Sequence, residues 1–283
     1  MSGAVASGAF ASASAVRCIA PGRYAGHVAE GWDIAGNADG GYLLAIAARA
    51  VTDATGHPDP VTITAHYLSP GRAGPVTCDV HIARAGRRHA TGTFTLASAE
   101  HTLLVGVCTT TDLAEASGPL LVDAQPPDLP PVEECVRSEP ADPFPPPFVG
   151  KVDMCLHPDD VPFRTGDASG NARMRGWFRL RDGEPIDTLA LVLAVDAFPP
   201  TSFNVNLPIG WTPTVELTAH VRHRPGPGWL ACAFVTRNIS GGYLETDGEI
   251  WDGSGALVAQ SRQLQLVPAP RPQHPAEHEM KRG

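Results

Sequence analysis

One order of elements is written twice along this chain of 283 residues, and that duplication constrains the fold more than any other feature. Gly40-Gly41 opens a helical segment that runs to about Ala54, with Asn37 or Asp39 before it as a cap and Gly56-His57-Pro58 after it as a stop. Segments of period two follow, at 61–68, 75–83, 89–98 and 102–111. A second helical segment begins at Asp187, and four more alternating segments follow it, at 214–223, 229–238, 243–251 and 256–267. Thr64-Ala65-His66 recurs in like context as Thr218-Ala219-His220, 154 residues further on. The expected class is therefore α+β, each half a helix packed on an antiparallel sheet. The expected boundaries are a loose N-terminus over 1–24, a first repeat over 25–115, a connection over 116–169, a second repeat over 170–267 and a mobile tail over 268–283. Ten prolines between Gly118 and Pro147 mark the connection as a wrapping segment without periodic structure.

The second helix carries a chemical clue. Asp187 or Thr188 caps it, and Pro199-Pro200 forbids its continuation. Between them Leu189-Ala-Leu-Val-Leu-Ala-Val195 is apolar all the way round, so the helix has no solvent face and must be wrapped by other elements. Asp196 then stands next to a core. Burial of a carboxylate and the negative end of its own helix both disfavour the charged form, which raises the pKa toward that of a general base near neutral pH. The plain alternative is an Asp that turns with Pro199-Pro200 toward water. Both readings stand at this point.

Charge and cysteine usage exclude several classes. A net charge of -9 disfavours a nucleic-acid-binding role. The six cysteines form no C-x-x-C pair and no Cys/His set at ligand spacing, so neither zinc nor a disulfide framework is expected. The Ala/Ser/Gly-rich start has no early positive charge and no long apolar run; a cytoplasmic chain without a membrane span is the expectation. No G-x-S-x-G elbow is present, which removes the serine-hydrolase route.

The residues resemble a known family. "N-x-x-GGYLLA" at Asn37, Gly40 and Gly41, "HPDPVT" over 57–62, "ARAGRR" over 83–88, "LALVLAVDAFPP" over 189–200, "TPTVELTAH" over 212–220 and "GALVAQSRQ" over 255–263 look like the bacterial thioesterase II group of acyl-CoA thioesterases. That resemblance covers roughly 25–115 and 170–267. It implies a double hotdog fold, a central helix wrapped by a curved sheet in each half, and hydrolysis of an acyl-CoA substrate with no metal or bound cofactor. It further implies a homo-oligomer of two or more copies.

Carried across, the family's water-holding trio falls on Asp196, Thr214 and Gln263 as catalytic residues. Arg49, Pro60 and Thr110 occupy the corresponding places of the first half, so only the second half holds the set. Glu216 is a nearby second carboxylate. Gly40 and Gly41 are candidates for oxyanion or substrate contact through backbone N–H groups, or for close packing alone. Arg84, Arg87 and Arg88, and with them Arg173, Arg175, Arg179 and Arg181, are candidates for contact with coenzyme A phosphates, although their alternation along strands favours a solvated face for most of them. Two other functions remain open: a hotdog hydratase or dehydratase, which pairs an Asp or Glu with a His five residues on where this chain has Thr201, and an acyl-CoA-binding module without turnover.

Overall fold

The computed structural model describes residues 8–141, 144–205 and 207–267; the expected tail over 268–283 lies outside the described residues. In the first half, helix α1 (Ala9–Ala13) and strands β1 (Val16–Ala20) and β2 (Arg23–Val28) precede α2 (Gly40–Thr55), and β3 (Asp59–Tyr67), β4 (Gly74–Arg84), β5 (Ala90–Ala97) and β6 (Thr102–Thr111) follow it. In the second half, β7 (Val136–Arg137), β8 (Val152–Leu156) and β9 (Arg173–Leu180) precede α3 (Thr188–Ala194). After it come β10 (Thr214–Val221), β11 (Leu230–Val235), β12 (Tyr243–Trp251) and β13 (Leu257–Leu266).

All the long strands join one antiparallel sheet, in the order β1-β2-β4-β5-β6-β3-β10-β13-β12-β11-β9-β8-β7. Read outward from the centre, both halves have the same sequence of strands. Six strands laid flat would span about 24 Å, yet α2, about 10 Å across, touches all six strands of its half. The sheet must therefore curl around the helix, and the architecture is the double hotdog.

The halves meet where β3 pairs with β10. Thr64 stands opposite Thr218, and their hydroxyls lie 2.9 Å apart. Because equivalent positions of an antiparallel repeat face each other only on a local two-fold axis, that axis passes between these two threonines. Each central strand also breaks register at the same place, between Pro60 and Thr62 in β3 and between Thr214 and Glu216 in β10. The repeat thus extends to its irregularities.

Asp39 caps α2 by accepting from the Tyr42 N–H at 2.8 Å, and Gly56, at φ 71°, ends the helix in the left-handed region. Asp187 caps α3 in the same way through the Ala190 N–H. Gly41 needs its missing side chain for close packing. A Cβ there would meet the Leu193 carbonyl at 2.7 Å and Asp196 Cβ at 2.9 Å, so the close neighbour of this small residue is α3 and not the sheet.

Two boundary expectations need correction. The segment read as a loose N-terminus includes α1 and β1: Phe10 is buried against Trp32, and the Phe10 and Ala11 N–H groups are held by Glu184 of the other half at 2.9 and 3.1 Å. A lone aromatic in a small-residue stretch is enough to anchor a helix of one and a half turns when distant acids cap it. The Pro-rich connection includes β7 and β8, which extend the sheet at its edge. Nor is the arginine row a solvated face. Arg137, Arg179 and Arg181 converge on the buried Asp153, while Arg173 and Arg175 converge on the buried Asp160, so alternate side chains of β9 clamp the connection to the sheet.

A further charged contact ties the halves together. Asp59, 2 % exposed at the start of β3, accepts from Arg224 of the second half at 2.7 Å, from the Thr188 hydroxyl at the head of α3 at 2.8 Å and from the Leu113 N–H at 2.8 Å. Burial raises its pKa, but the Arg224 guanidinium and these two donors together hold it below the ordinary carboxylate value of 3.8. Arg224→Ala leaves that charge buried with its two weaker partners. Because solvent reaches Arg224, the expected loss is about 2–4 kcal/mol, somewhat below that of a fully buried pair. A depressed folded pKa contributes stability that is present above pH 3.8 and lost as pH falls through the folded value. Urea unfolding should therefore show a gap between wild type and Arg224→Ala at neutral pH that narrows below about pH 4.

Candidate active site

The expected trio assembles. Gln263 on β13 donates from Nε2 to Asp196 Oδ1 at 2.7 Å and to Thr214 Oγ1 at 2.5 Å. The bulge at Thr214–Glu216 turns Thr214 toward its neighbours out of regular register. Both N–H bonds of the amide are therefore committed to protein partners. This refines the sequence reading: Gln263 orients the carboxylate and the hydroxyl. Thr214 accepts from the amide and keeps its own proton to donate, and Asp196 keeps Oδ2.

Asp196 is in a buried environment that raises its pKa to about 6, through loss of hydration; the Gln263 amide and the Gly41 N–H partly offset this. The sequence considered only the negative end of α3. In the fold the N-terminus of α2 also faces Asp196 and opposes that penalty. Gly40 makes room for the contact, since a Cβ there would lie 2.5 Å from Asp196 Oδ2. Its carbonyl accepts from the Tyr67 hydroxyl at 2.9 Å.

A second carboxylate belongs to this site, and the sequence showed it only as a helix cap. Asp39 is 2 % exposed, its Oδ1 is used on the Tyr42 N–H, and its Oδ2 is buried without a partner. Burial, and then repulsion from Asp196, push its pKa well above the ordinary value. Repulsion between the two acids disfavours the doubly charged pair, and Asp39 is the more strongly raised. Tyr67 is pushed up as well, by burial and by both carboxylates, and stays a neutral donor. No spacing rule links Asp39 to Asp196; their approach comes from α2 meeting α3.

Asp39, Gly40, Tyr67, Asp196 and Thr214 line one end of a cavity of about 580 Å³ whose other walls include Leu43, Phe148, Met154, Phe203 and Trp211. That size is typical for a small-molecule site. A separate hollow of about 20 Å³ adjoins Asp196 and Gln263 beside Thr201, Thr246 and Gln265, which is room for one water among polar groups.

Other sequence candidates lie elsewhere. Arg84, Arg87 and Arg88 are exposed around the β4–β5 hairpin. That hairpin is tied to the far end of α2, where His57 Nε2 meets the Gly86 carbonyl at 3.1 Å, about 24 Å along the helix from Gly40. None of the three arginines lines the cavity. Glu216 accepts from Thr218 at 2.6 Å and is not part of the cavity wall. In the first half Arg49 donates to Ser14, Thr110 donates to Thr55, and Pro60 offers no hydroxyl, so that half holds no second trio.

Comparison with known proteins agrees with the fold. Residues 28–111 match the acyl-CoA thioesterase N-terminal domain and residues 126–267 match the acyl-CoA thioesterase C-terminal domain. An uncharacterized protein of Mycobacterium tuberculosis is 30% identical over 275 residues, covering 87% of this chain and 91% of its own. The structure of a candidate thioesterase II from Thermobifida fusca superposes with a TM-score of 0.83 at 32% identity, covering 92% of this chain and 98% of that one. An acyl-CoA thioesterase II from Mycobacterium marinum shares the fold with a TM-score of 0.69 at 17% identity, covering 93% and 99% of the two chains.

The raised pKa of Asp196 has a measurable consequence. Below pH 3.8 the group is protonated whether the chain is folded or not; between 3.8 and about 6 the unfolded chain ionises first, so stability falls as pH rises, and above about 6 the full penalty is present. Asp196→Asn removes that penalty. The variant should be more stable than wild type at neutral pH by up to about 3 kcal/mol and no more stable near pH 4, read by urea unfolding at both pH values. A gap independent of pH would show that ionisation of Asp196 is not penalised in the fold.

Proposed function

The chain belongs to the acyl-CoA thioesterase family, and from that premise we propose that it hydrolyses acyl-CoA thioesters with Asp196 as general base. The observation that carries this reading is a half-buried carboxylate with its pKa raised to about 6, fixed by Gln263 beside a free Thr214 donor, with Asp196 and Thr214 in the wall of an apolar cavity. The acyl chain occupies the cavity and the thioester carbonyl sits at the N-terminus of α2. There the Gly40 N–H and the helix dipole favour the developing oxyanion, while the Gly41 N–H is held by Asp196.

A water held by Asp196 and the Thr214 hydroxyl attacks the carbonyl carbon. Its proton passes to Asp196, the C–S bond breaks, and that proton goes on to the departing thiolate, so the products are a carboxylic acid and coenzyme A with a free thiol. Held in this geometry, the water needs no nucleophilic side chain. Asp39 is neutral in this scheme, because a charge there would oppose both the oxyanion and the ionisation of Asp196. Among the described residues no histidine lines the cavity, which favours hydrolysis over a hydratase or dehydratase.

Thiol release from a panel of acyl-CoAs tests the reading. Wild type should turn over at least part of the panel, and Asp196→Asn should lose about two to four orders of magnitude. The acid limb of kcat/KM should rise with pH through about 6, as the base ionises. Asp39→Asn keeps an oxygen to cap α2 and, because Asp39 is neutral while Asp196 ionises, removes no charge, so that limb should stay near pH 6. Full activity in Asp196→Asn would sink the assignment of the base, and a limb moved to lower pH by Asp39→Asn would show that Asp39 carries a charge when Asp196 ionises.

A further inference from the structure

The same cavity holds a cation that hydrolysis does not use. Arg164 lies on the short turn Pro162–Thr165 and lines the cavity, the one Lys or Arg to do so among the described residues. Its Nη2 donates to Ser138 Oγ, a buried hydroxyl, at 2.7 Å, and its Cζ lies 5.9 Å from the centre of the Phe163 ring. Its Nε–H is buried and has no partner. Burial lowers its pKa with no carboxylate to offset the effect. The contrast with its neighbours is sharp: Arg137, Arg173, Arg175, Arg179 and Arg181 each meet Asp153 or Asp160.

A guanidinium drawn out of water without a counter-charge is costly, and an arginine does not escape the cost by losing its proton. The missing charge must then come from what fills the cavity. Two parts of an acyl-CoA are anionic: a carboxylate at the far end of the acyl group, or the phosphates of coenzyme A. The rest of the cavity wall includes Phe144, Phe148, Met154 and Phe203, and among the described residues it holds no second Lys or Arg. One planar fork in an apolar wall suits one carboxylate; a multiply charged nucleotide needs more cations and more water.

We propose that the cavity receives acyl groups that end in a carboxylate, with the Arg164 guanidinium in the cavity wall as the counter-charge. The substrates would then be thioesters of dicarboxylic acids. This rests on the thioesterase reading for the identity of the thioester, but its test does not depend on turnover.

Binding is measured in the Asp196→Asn background, so that the thioester survives, with succinyl- through sebacyl-CoA against butyryl- through decanoyl-CoA of matching length. At the length that reaches Arg164, the dicarboxylyl form should bind about 10- to 100-fold more tightly, the range of a charge-assisted hydrogen bond. Arg164→Met should remove the preference, and Arg164→Lys should retain part of it. Arg164→Gln, which can still reach Ser138, serves if the Met variant does not fold. No preference at any length, or a preference that survives Arg164→Met and Arg164→Gln, overturns the proposal. So does a third outcome, in which those variants weaken free coenzyme A and both thioester series alike while acyl-pantetheines are unaffected, because the anion is then a phosphate. Absence of thiol release by wild type, with the dicarboxylyl preference intact, would fail hydrolysis and leave the binding site standing.

Discussion

The pairing of β3 with β10 is the contact on which everything else depends. It turns two curled sheets into one continuous sheet and satisfies the main-chain groups of two strands that would otherwise be open edges. It also sets the relation of the two helices. With Thr64 facing Thr218 on the local axis, the N-terminus of α2 comes to the C-terminus of α3, and Gly41 packs under the Leu193 carbonyl and Asp196 Cβ. The candidate site is therefore composite: Asp196, Thr214 and Gln263 come from the second half, and Asp39, Gly40 and Tyr67 come from the first. Neither half alone has it.

This composition explains why a duplicated fold has one site. The first half retains the shape of the second, including the bulge in its central strand, but its residues have other work. Arg49 reaches Ser14 beside α1, and Asp59 is held by Arg224 and Thr188. What the first half supplies to the chemistry is a helix terminus: N–H groups, a dipole and a glycine with no Cβ in the way. Its Asp39 brings a second negative group into the same buried space, where the low polarizability of the surroundings makes two charges far less favourable than one. Position alone thus raises Asp39 more strongly than Asp196.

Much of the architecture was legible because it depends on short-range patterns. The apolar run from Leu189 to Val195 between Asp187 and Pro199 specified a buried helix and a costly Asp at its end; the shared Thr-Ala-His tripeptide marked the two central strands. The trio itself became legible through likeness to a family, since 18 and 49 residues of chain separate Thr214 from its partners and carry no local signal. The segments misread at 1–24 and 116–169 fail for a related reason. Phe10 orders α1 only because Trp32, Tyr42 and Glu184 arrive from elsewhere, and the prolines of the connection conceal a strand and a turn whose Asp153 and Asp160 clamp onto arginines of β9.

By itself, then, the sequence determined the elements, their caps and stops, the duplication, and the presence of a carboxylate next to a core. These are properties of hydrophobic period and backbone conformation, which act over a few residues. The tertiary structure decided which groups share a charge environment. The approach of Asp39 to Asp196, the commitment of both Gln263 N–H bonds, the removal of Arg84, Arg87 and Arg88 to the far end of α2, and the unpaired Arg164 in the cavity wall all turn on distances between residues remote in the chain. Electrostatic energy depends on separation and burial in space, and only the folded packing of α2, α3 and the joined sheet sets them.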